Sequence, residues 1–454
     1  MKLAVVYHLP NPGGITRFTN ALIDGLLAVD DSLTIDYYLS DRLLRDGRLA
    51  AFPATDRVRL IGISDPDVAD SNLDEPDTDA DGHSIVRWTS RRLASRPLLH
   101  AIVKAPYRAL RGALRLASGK RRSKHWYEFA LTPEIAAALG AYDLVYLPFP
   151  YYIEPAAIKA PLVGTFHDFN HLYFPANFGK ALMRQMNRQL KFWTTRADAA
   201  VVSTRFVEQD LVKHYAGAAG RSSIVFVAPY SFVPISEKAR LAAVKRFGLR
   251  DQGYLVYPSN HSHHKNLLGL IRAADVIKKA KGRIDYPVVF TGFGTDGIGT
   301  GKWPSFAEVD EYLSTSSLVV GQDVRGLGFV TDEEVDALTR SARLVVSTSL
   351  YEAGCGPALD AWQFGVPVAF SNIPPFVEQL EALGVEAWTF DPRDPEDIAR
   401  VIGRALAERK ESLAMAARSM ASIKKYTWNE AAAGYLEVFR QAIEHYRAGR
   451  SKPA

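Results

Sequence analysis

Short apolar runs recur along this chain, each closed by Gly, Pro, Asn or Asp and followed by a stretch whose apolar positions return at helical spacing. Runs that are apolar on both faces are strands of parallel sheets, and the amphipathic stretches between them are the helices that cover those sheets. A first set of strands is predicted at Lys2 to Tyr7, Leu33 to Leu39, Val58 to Ile61, Leu144 to Leu147, Leu162 to Phe166, Ala199 to Val202 and Ile224 to Val227. A second set is predicted at Tyr254 to Tyr257, Val288 to Thr291, Leu318 to Val320, Leu344 to Ser347, Val366 to Phe370 and Ala387 to Phe390. Between Ala228 and Gln252 a proline-bearing run precedes a basic amphipathic helix, and the unit changes there. The pattern predicts an α/β protein of two doubly wound domains, residues 1–230 and 231–426, facing a central cleft.

Composition adds few constraints and one anomaly. The 454 residues exceed one ordinary core, and 47% of them are hydrophobic, as in a globular protein. A single cysteine, Cys355, excludes an intramolecular disulfide and a cysteine zinc cluster. The start, MKLAVVYHLPNPGG, reads as a strand entering a loop rather than a signal peptide, and no apolar run approaches the ~18 residues of a membrane span. A cytoplasmic protein is expected, with any membrane contact peripheral. The net charge of +5 is segregated: Asp65 to Asp81 holds eight acids and no Lys or Arg, whereas Arg87 to Lys124 holds twelve Lys or Arg and no acid. Without these blocks the chain is nearly neutral, so the charge belongs to one insertion, residues 64–128.

Within the acidic block, Asp77 to Gly82 copies the first half of a calcium-binding EF-hand loop, but Trp88 stands where the bidentate Glu is required, and an acidic surface loop is the better reading. In the basic block, Lys104, Arg108, Arg111 and Arg115 make one stripe at helical period beside Val103, Tyr107, Leu110 and Leu114, with Pro106 kinking the helix. Two readings stay open: a helix lying on an anionic membrane surface through residues 87–124, or one packed on the first domain with a solvated basic face. Interleaved aromatics and any recognised module for nucleic acid are missing, so no nucleic-acid partner is expected.

Chemistry gathers at strand ends. After the run Arg343 to Ser347 comes Tyr351-Glu352-Ala353-Gly354-Cys355-Gly356-Pro357-Ala358-Leu359-Asp360. Pro357 suits the first helical position, and the flanking glycines expose N–H groups at a helix start, where anions bind. Glu352 on the loop and Asp360 one turn into the helix face one ligand, and carboxylates accept hydrogen bonds from vicinal hydroxyls. Asn11 to Arg17 carries Gly13 and Gly14 directly after the first strand, where bare backbone admits a close ligand. Thr165-Phe166-His167-Asp168 closes another buried strand, and His8 closes the first. His264-Lys265-Asn266 follows the first strand of the second domain; the neighbouring His261 and His263 lack the spacing of a zinc site. Val324 to Glu334 reads as a strand, a loop and a helix capped by Thr331 with Glu334 three residues on.

These motifs, in this order and spanning almost the whole chain, resemble the retaining GT-B glycosyltransferases that carry an E-x7-E signature (family 4-like, group 1). The resemblance implies that Glu352 contacts hydroxyls of the transferred sugar and that Asp360 contacts the nucleotide ribose. Lys265 pairs with the donor diphosphate, His167 lies near the sugar or the reacting bond, and Gly13, Gly14, Gly354, Cys355 and Gly356 line the donor. Val330 offers backbone to the base, and the segment 427–454 is a helix crossing back to the first domain. Glu352, His167 and Lys265 are thus the expected catalytic residues, with no metal site and no tightly bound cofactor. The sequence departs from the pattern in three places: Asp360 replaces the usual Glu, Ala353 and Cys355 replace common glycines, and Ser259 and Asn260 stand where an arginine is common. Lys265 is then the only nearby cation unless Arg17 or Arg325 reaches in.

The reaction implied is transfer of a sugar, with retained configuration, from a nucleotide-sugar, GDP-mannose-type ahead of UDP-sugar, to a glycan or lipid-linked acceptor. Its expected setting is cell-surface polysaccharide or lipopolysaccharide synthesis at the inner face of a membrane. A sugar-nucleotide epimerase or hydrolase of the same fold, and a non-catalytic nucleotide-sugar-binding protein, are the alternatives.

Overall fold

The computed structural model describes residues 1–9, 13–45, 55–63, 129–230 and 235–450. The chain divides into two compact units, Met1–Ser64 with Ala130–Ala454 and, separately, Asp65–Phe129. The acidic string at Asp77 and the basic stripe from Lys104 to Arg115 lie outside the described residues.

The first unit contains two parallel sheets. In the first, β1 (Lys2–Tyr7), β2 (Thr34–Ser40), β3 (Val58–Ile63), β4 (Leu144–Leu147), β5 (Leu162–Thr165), β6 (Ala199–Val202) and β7 (Ser222–Ile224) lie in the order β3-β2-β1-β4-β5-β6-β7. In the second, β8 (Leu255–Pro258), β9 (Val288–Thr291), β10 (Val324–Gly326), β11 (Leu344–Ser347), β12 (Val368–Ser371) and β13 (Trp388–Phe390) lie in the order β10-β9-β8-β11-β12-β13. Both orders reverse direction once, between β1 and β4 and between β8 and β11. A parallel sheet opens a crevice beyond its carboxyl ends at such a reversal, and ligands bind there.

Continuous apolar runs follow from burial on both faces. Leu255 and Tyr257 enter one core of the second sheet while Tyr254 and Val256 enter the other, as the two-residue period of a strand requires. Two predicted strands differ from the structure. Leu318 to Val320 is no strand: Gly321, at φ 86°, turns the chain, its N–H reaching the Val324 carbonyl at 2.8 Å, and Asp323 accepts from the Val319 N–H at 2.7 Å. The pairing strand is β10, just after that turn. At the edge of the first sheet β7 pairs through Ser222 to Ile224, and beyond it the Val225 N–H makes a last bond to Val202 at 2.9 Å.

Six helices position the site: α1 (Gly14–Val29), α2 (Asn170–Tyr173), α3 (Leu267–Lys281), α4 (Asp332–Arg340), α5 (Gly356–Gln363) and α6 (Trp428–Arg450). Helix α6 places Trp428, Ala431, Ala432, Tyr435, Leu436, Phe439 and Ala442 in the core of the first sheet, although it follows the second in sequence. Gly25 of α1 permits this approach, since a Cβ there would stand 2.4 Å from the Trp428 carbonyl oxygen. Buried hydroxyls fix the seat: Thr165 Oγ1 lies 2.9 Å from Tyr435 Oη and 2.7 Å from Tyr146 Oη.

Candidate functional site

The two loops flanking the reversal of the second sheet deliver Lys265 and Glu352 to each other. After β8 a short 3-10 turn (His263–Lys265) ends at Asn266, which adopts the left-handed conformation (φ 54°, ψ 47°) that asparagine tolerates. Asn266 caps α3 through its Oδ1, which accepts from the Gly269 N–H at 3.1 Å, and its Nδ2 donates to the Pro392 carbonyl at 2.7 Å. From the loop after β11, the Leu350 N–H reaches the His264 carbonyl at 2.7 Å and the Thr348 hydroxyl reaches that of Asn266 at 2.9 Å. Held on both sides, the Lys265 ammonium forms an ion pair with Glu352 Oε1. Ser349 donates to the same oxygen at 2.9 Å, and Tyr257 links the Lys265 carbonyl (3.0 Å) to Ser349 (2.7 Å). Burial works against the charge on Lys265, but Glu352 outweighs it and the pKa is pushed up to about 12. The site therefore presents a fixed ammonium at neutral pH.

Helix α5 opens beside this pair, with Cys355 as its cap and Gly356 its first residue, so Pro357 sits one place later than its sequence suggested. The Cys355 N–H donates to Gln379 Oε1 at 2.8 Å, and its thiol, pushed up to about 12 by burial, receives the Ala358 N–H. Its own N–H is therefore spoken for by protein. A Cβ added at Gly356 would meet nothing within 4 Å, so the helix start is uncovered. Asp360, at 7% exposure, keeps Oδ1 without a hydrogen-bond partner among the described residues. Burial pushes its pKa up to about 7; Arg17 opposes that rise, and Asp332 and Asp336 add to it. An unsatisfied buried acceptor of this kind is costly unless a ligand hydroxyl serves it.

From the first sheet, the loop after β1 ends at Gly13 and Gly14, where added Cβ atoms would again meet nothing within 4 Å. The Gly13 N–H is held by Thr16 Oγ1 at 3.1 Å, and that oxygen lies 2.8 Å from Tyr7 Oη. His167 Nε2 stands 2.9 Å from the Pro148 carbonyl, and its ring meets the edge of Phe18 at 4.7 Å. Burial lowers its pKa to about 4, so the imidazole is neutral at neutral pH and Nε2–H is the donor to Pro148. Asp168 orients the loop by accepting from the Asn170 N–H at 3.0 Å; burial raises its pKa, and Glu352 adds to the rise. His8 is fully buried, stacks on Phe149 at 6.2 Å and is lowered to about 3 by burial, as a structural histidine would be.

The structure brings Lys265, Glu352, Asp168 and their loops together and sets Asp360 beside Arg17. It also supplies partners for motif residues, Phe169, Asn170 and Ser203, that lie outside the sequence motifs. Tyr351 Oη accepts from the Phe169 N–H at 2.8 Å, Asn170 Nδ2 lies 3.0 Å from His264 Nδ1, and Ser203 donates to the Ala353 carbonyl at 3.1 Å. Each links the two sheets one residue from a motif position. Val330 is buried, and its loop turns at Gly328 (φ 71°), whose N–H meets Thr295 Oγ1 at 3.0 Å, while the neighbouring Phe329 is 79% exposed. The predicted capping box is present, with Thr331 and Glu334 each accepting from the other's N–H. Of the two arginines considered, Arg17 lies over the Tyr230 ring at 4.4 Å, and Arg325 is turned to the carbonyls of Phe247 and Gly248. His261, His263 and His264 belong to no metal-holding group among the described residues.

Residues 243–421, which hold Lys265, Glu352 and Asp360, match the family described as glycosyl transferases group 1. The chain thus carries a group 1 glycosyltransferase region over residues 243–421. Among relatives of this glycosyltransferase, O-antigen chain mannosyltransferase B of Escherichia coli is 26% identical over 299 residues, 66% of this chain and 74% of the relative. D-inositol 3-phosphate glycosyltransferase of Salinispora arenicola (strain CNS-205) is 29% identical over 260 residues, 55% of this chain and 56% of the relative. Anabaena Alr3699/HepE, solved in complex with UDP and glucose, superposes with a TM-score of 0.60 over 96% of this chain and 99% of its own at 14% identity. That likeness carries the fold, and the two doubly wound sheets are the GT-B architecture.

Proposed function

We propose that this glycosyltransferase moves a sugar, with retained anomeric configuration and without a metal ion in the chemical step, from a nucleotide-sugar to a glycan or lipid-linked acceptor. The observation that carries the proposal is the Lys265–Glu352 pair, assembled from the two loops flanking the reversal of the second sheet. In the donor complex Lys265 turns to the diphosphate, where an ammonium stabilises charge that grows as the leaving group departs. Glu352, released from the pair, accepts from the sugar hydroxyls, and Asp360 serves the ribose through its unpartnered oxygen. Gly13, Gly14, Gly354 and Gly356 admit the phosphates, Val330 offers backbone to the base, and the neutral His167 stands toward the sugar. The bond from the anomeric carbon to the diphosphate oxygen breaks, the acceptor oxygen attacks from the same face, and its proton passes to the departing diphosphate. Positioning and electrostatics supply the catalysis.

A GDP-mannose-type donor is preferred to a UDP-sugar on the strength of the O-antigen mannosyltransferase relative, which also points to cell-surface polysaccharide or lipopolysaccharide synthesis. No helix among the described residues is long and apolar enough to cross a membrane. The basic stripe within residues 87–124 would hold the enzyme on the cytoplasmic face, peripherally, where a lipid-linked acceptor lies. Neutralising Lys104, Arg108, Arg111 and Arg115 then abolishes sedimentation with anionic vesicles, and equal sedimentation of parent and variant removes the membrane from the proposal. The donor is tested by thermal shift against GDP, UDP, ADP, CMP and their sugar conjugates, without metal and then with magnesium. Stabilisation by one nucleotide family in metal-free buffer is expected. Stabilisation by none would contradict a working donor site.

A further inference from the structure

The helix Pro374–Leu383, which follows β12, carries two consecutive polar side chains with different partners. Successive residues of a helix point about 100° apart, so one helix can grip two neighbours. Gln379, 3% exposed, accepts the Cys355 N–H at the start of α5, and its Oε1 would stand 3.7 Å from a Cβ placed on Gly354. The half-buried Glu378 turns to the first sheet, where its carboxylate accepts from the N–H groups of Arg205 at 2.5 Å and Phe206 at 3.2 Å. These two residues open the helix Arg205–His214, which follows β6.

That helix has a cap of its own, since Thr204 Oγ1 accepts from the Val207 N–H at 3.3 Å. Arg205 is exposed, so water would serve its N–H if Glu378 were withdrawn. What Glu378 adds is a tie across the sheets, favoured by a negative charge at the positive end of a helix. The same segment makes two more ties: Ser203 donates to the Ala353 carbonyl at 3.1 Å, and the Phe206 ring lies 6.0 Å from that of Tyr351. Tyr351 also packs on Tyr173 at 4.4 Å and accepts from the Phe169 N–H. The loop carrying Glu352 is therefore held by the first sheet at both flanking residues, Tyr351 and Ala353, and by Gln379 at Cys355. The Lys265 carbonyl, by contrast, is held from within the second sheet, by Tyr257 at 3.0 Å and Thr348 at 3.3 Å.

We infer that Glu378 is a positioning residue for the transfer: by tying the first sheet to the helix that holds the start of α5, it fixes the loop on which Glu352 meets the donor sugar. The inference rests on the reading of Glu352 as the sugar contact. Alignment of the sugar is then a property of the two sheets in contact, whereas the diphosphate contact of Lys265 belongs to the second sheet alone. A small displacement of an aligning group costs turnover far more than it costs binding.

The test compares the full-length parent with Glu378→Ala, Glu378→Gln, Ser203→Ala and the Glu378→Ala/Ser203→Ala pair, with Glu352→Ala as reference, by steady-state transfer assays and nucleoside diphosphate titration. Glu378→Ala is expected to lower turnover about tenfold or more while diphosphate affinity stays within about threefold of the parent. Glu378→Gln keeps an oxygen that accepts an N–H and is expected to recover part of the loss. The pair is expected to lose less than the product of the single losses, because both ties hold one loop. A residue that only stabilised the fold would lower the melting temperature and leave turnover per folded molecule unchanged. Full turnover in Glu378→Ala, an equal loss of diphosphate affinity, no recovery by glutamine, or losses that multiply in the pair overturns the inference. Should Glu378→Ala misfold, Ser203→Ala decides by the same split between turnover and affinity. If Glu352→Ala keeps full activity, the reading of Glu352 fails and the inference with it; full activity of Glu378→Ala beside an impaired Glu352→Ala sinks the inference alone.

Discussion

The two halves of the site are built on sheets of the same topology but meet the cleft with opposite chemistry. The second sheet contributes an ion pair, Lys265 with Glu352, held by Ser349, Tyr257 and the main chain of both switch-point loops. The first contributes bare glycines, a neutral His167 against Phe18 and Phe149, and an Asp168 whose pKa burial raises. In the proposed reaction the half that meets the departing diphosphate carries a fixed ammonium, and the half across from it presents a neutral imidazole. The family match over residues 243–421 covers the charged half only.

The comparison breaks most easily at its charged side. Glu352→Ala is expected to lower turnover by about 10²-fold or more while free nucleoside diphosphate affinity stays within about threefold, because the lost contacts are with the sugar. Lys265→Ala lowers both by comparable factors, since the ammonium meets the diphosphate in the bound and the transition state. Steady-state kinetics paired with nucleotide titration separate the two, and a Glu352→Ala protein with full transfer activity refutes the assignment. On the neutral side, His167→Ala is expected to cost turnover about tenfold with donor affinity unchanged, measured in the same pair of experiments. A loss of donor affinity as large as that of Lys265→Ala would erase the distinction between the halves.

The effect most diagnostic of burial is one of pH. Asp360 has its pKa raised from 3.8 to about 7, so between those values the folded protein holds a proton that the unfolded chain gives up. Stability of the ligand-free protein accordingly falls as pH rises through that window. Affinity for a nucleotide-sugar, whose phosphates stay ionised there, moves the other way, rising about tenfold as the carboxylate forms and accepts the ribose hydroxyls. Asp360→Asn flattens both profiles; a variant that keeps the parent's pH dependence assigns the titration to another group.

Most of the fold was legible because strands buried on both faces announce themselves as apolar runs, and the motifs fall at their ends. Leu318 to Val320 was misread for the same reason: the run is apolar, but Gly321 and Asp323 commit its backbone to a turn that no periodicity reveals. Lys265 and Glu352 were each visible, whereas their pairing was not, because it depends on two loops 87 residues apart meeting at a strand reversal. Gln379, which occupies the Cys355 N–H, belongs to no motif, and Tyr351, although it opens the decapeptide, meets Phe169 only through tertiary contact. The pKa of Asp360 is likewise a property of its burial, and the sequence shows only a carboxylate one methylene shorter than expected.

One measurement bears on the central claim most directly. The purified protein is incubated with the nucleotide-sugar that stabilises it, with and without envelope glycan acceptors, while nucleoside diphosphate release is followed and the anomeric configuration of the product is read by proton NMR. The account predicts release that depends on acceptor and a new linkage with the configuration of the donor. Release without acceptor, or a linkage of inverted configuration, would contradict it.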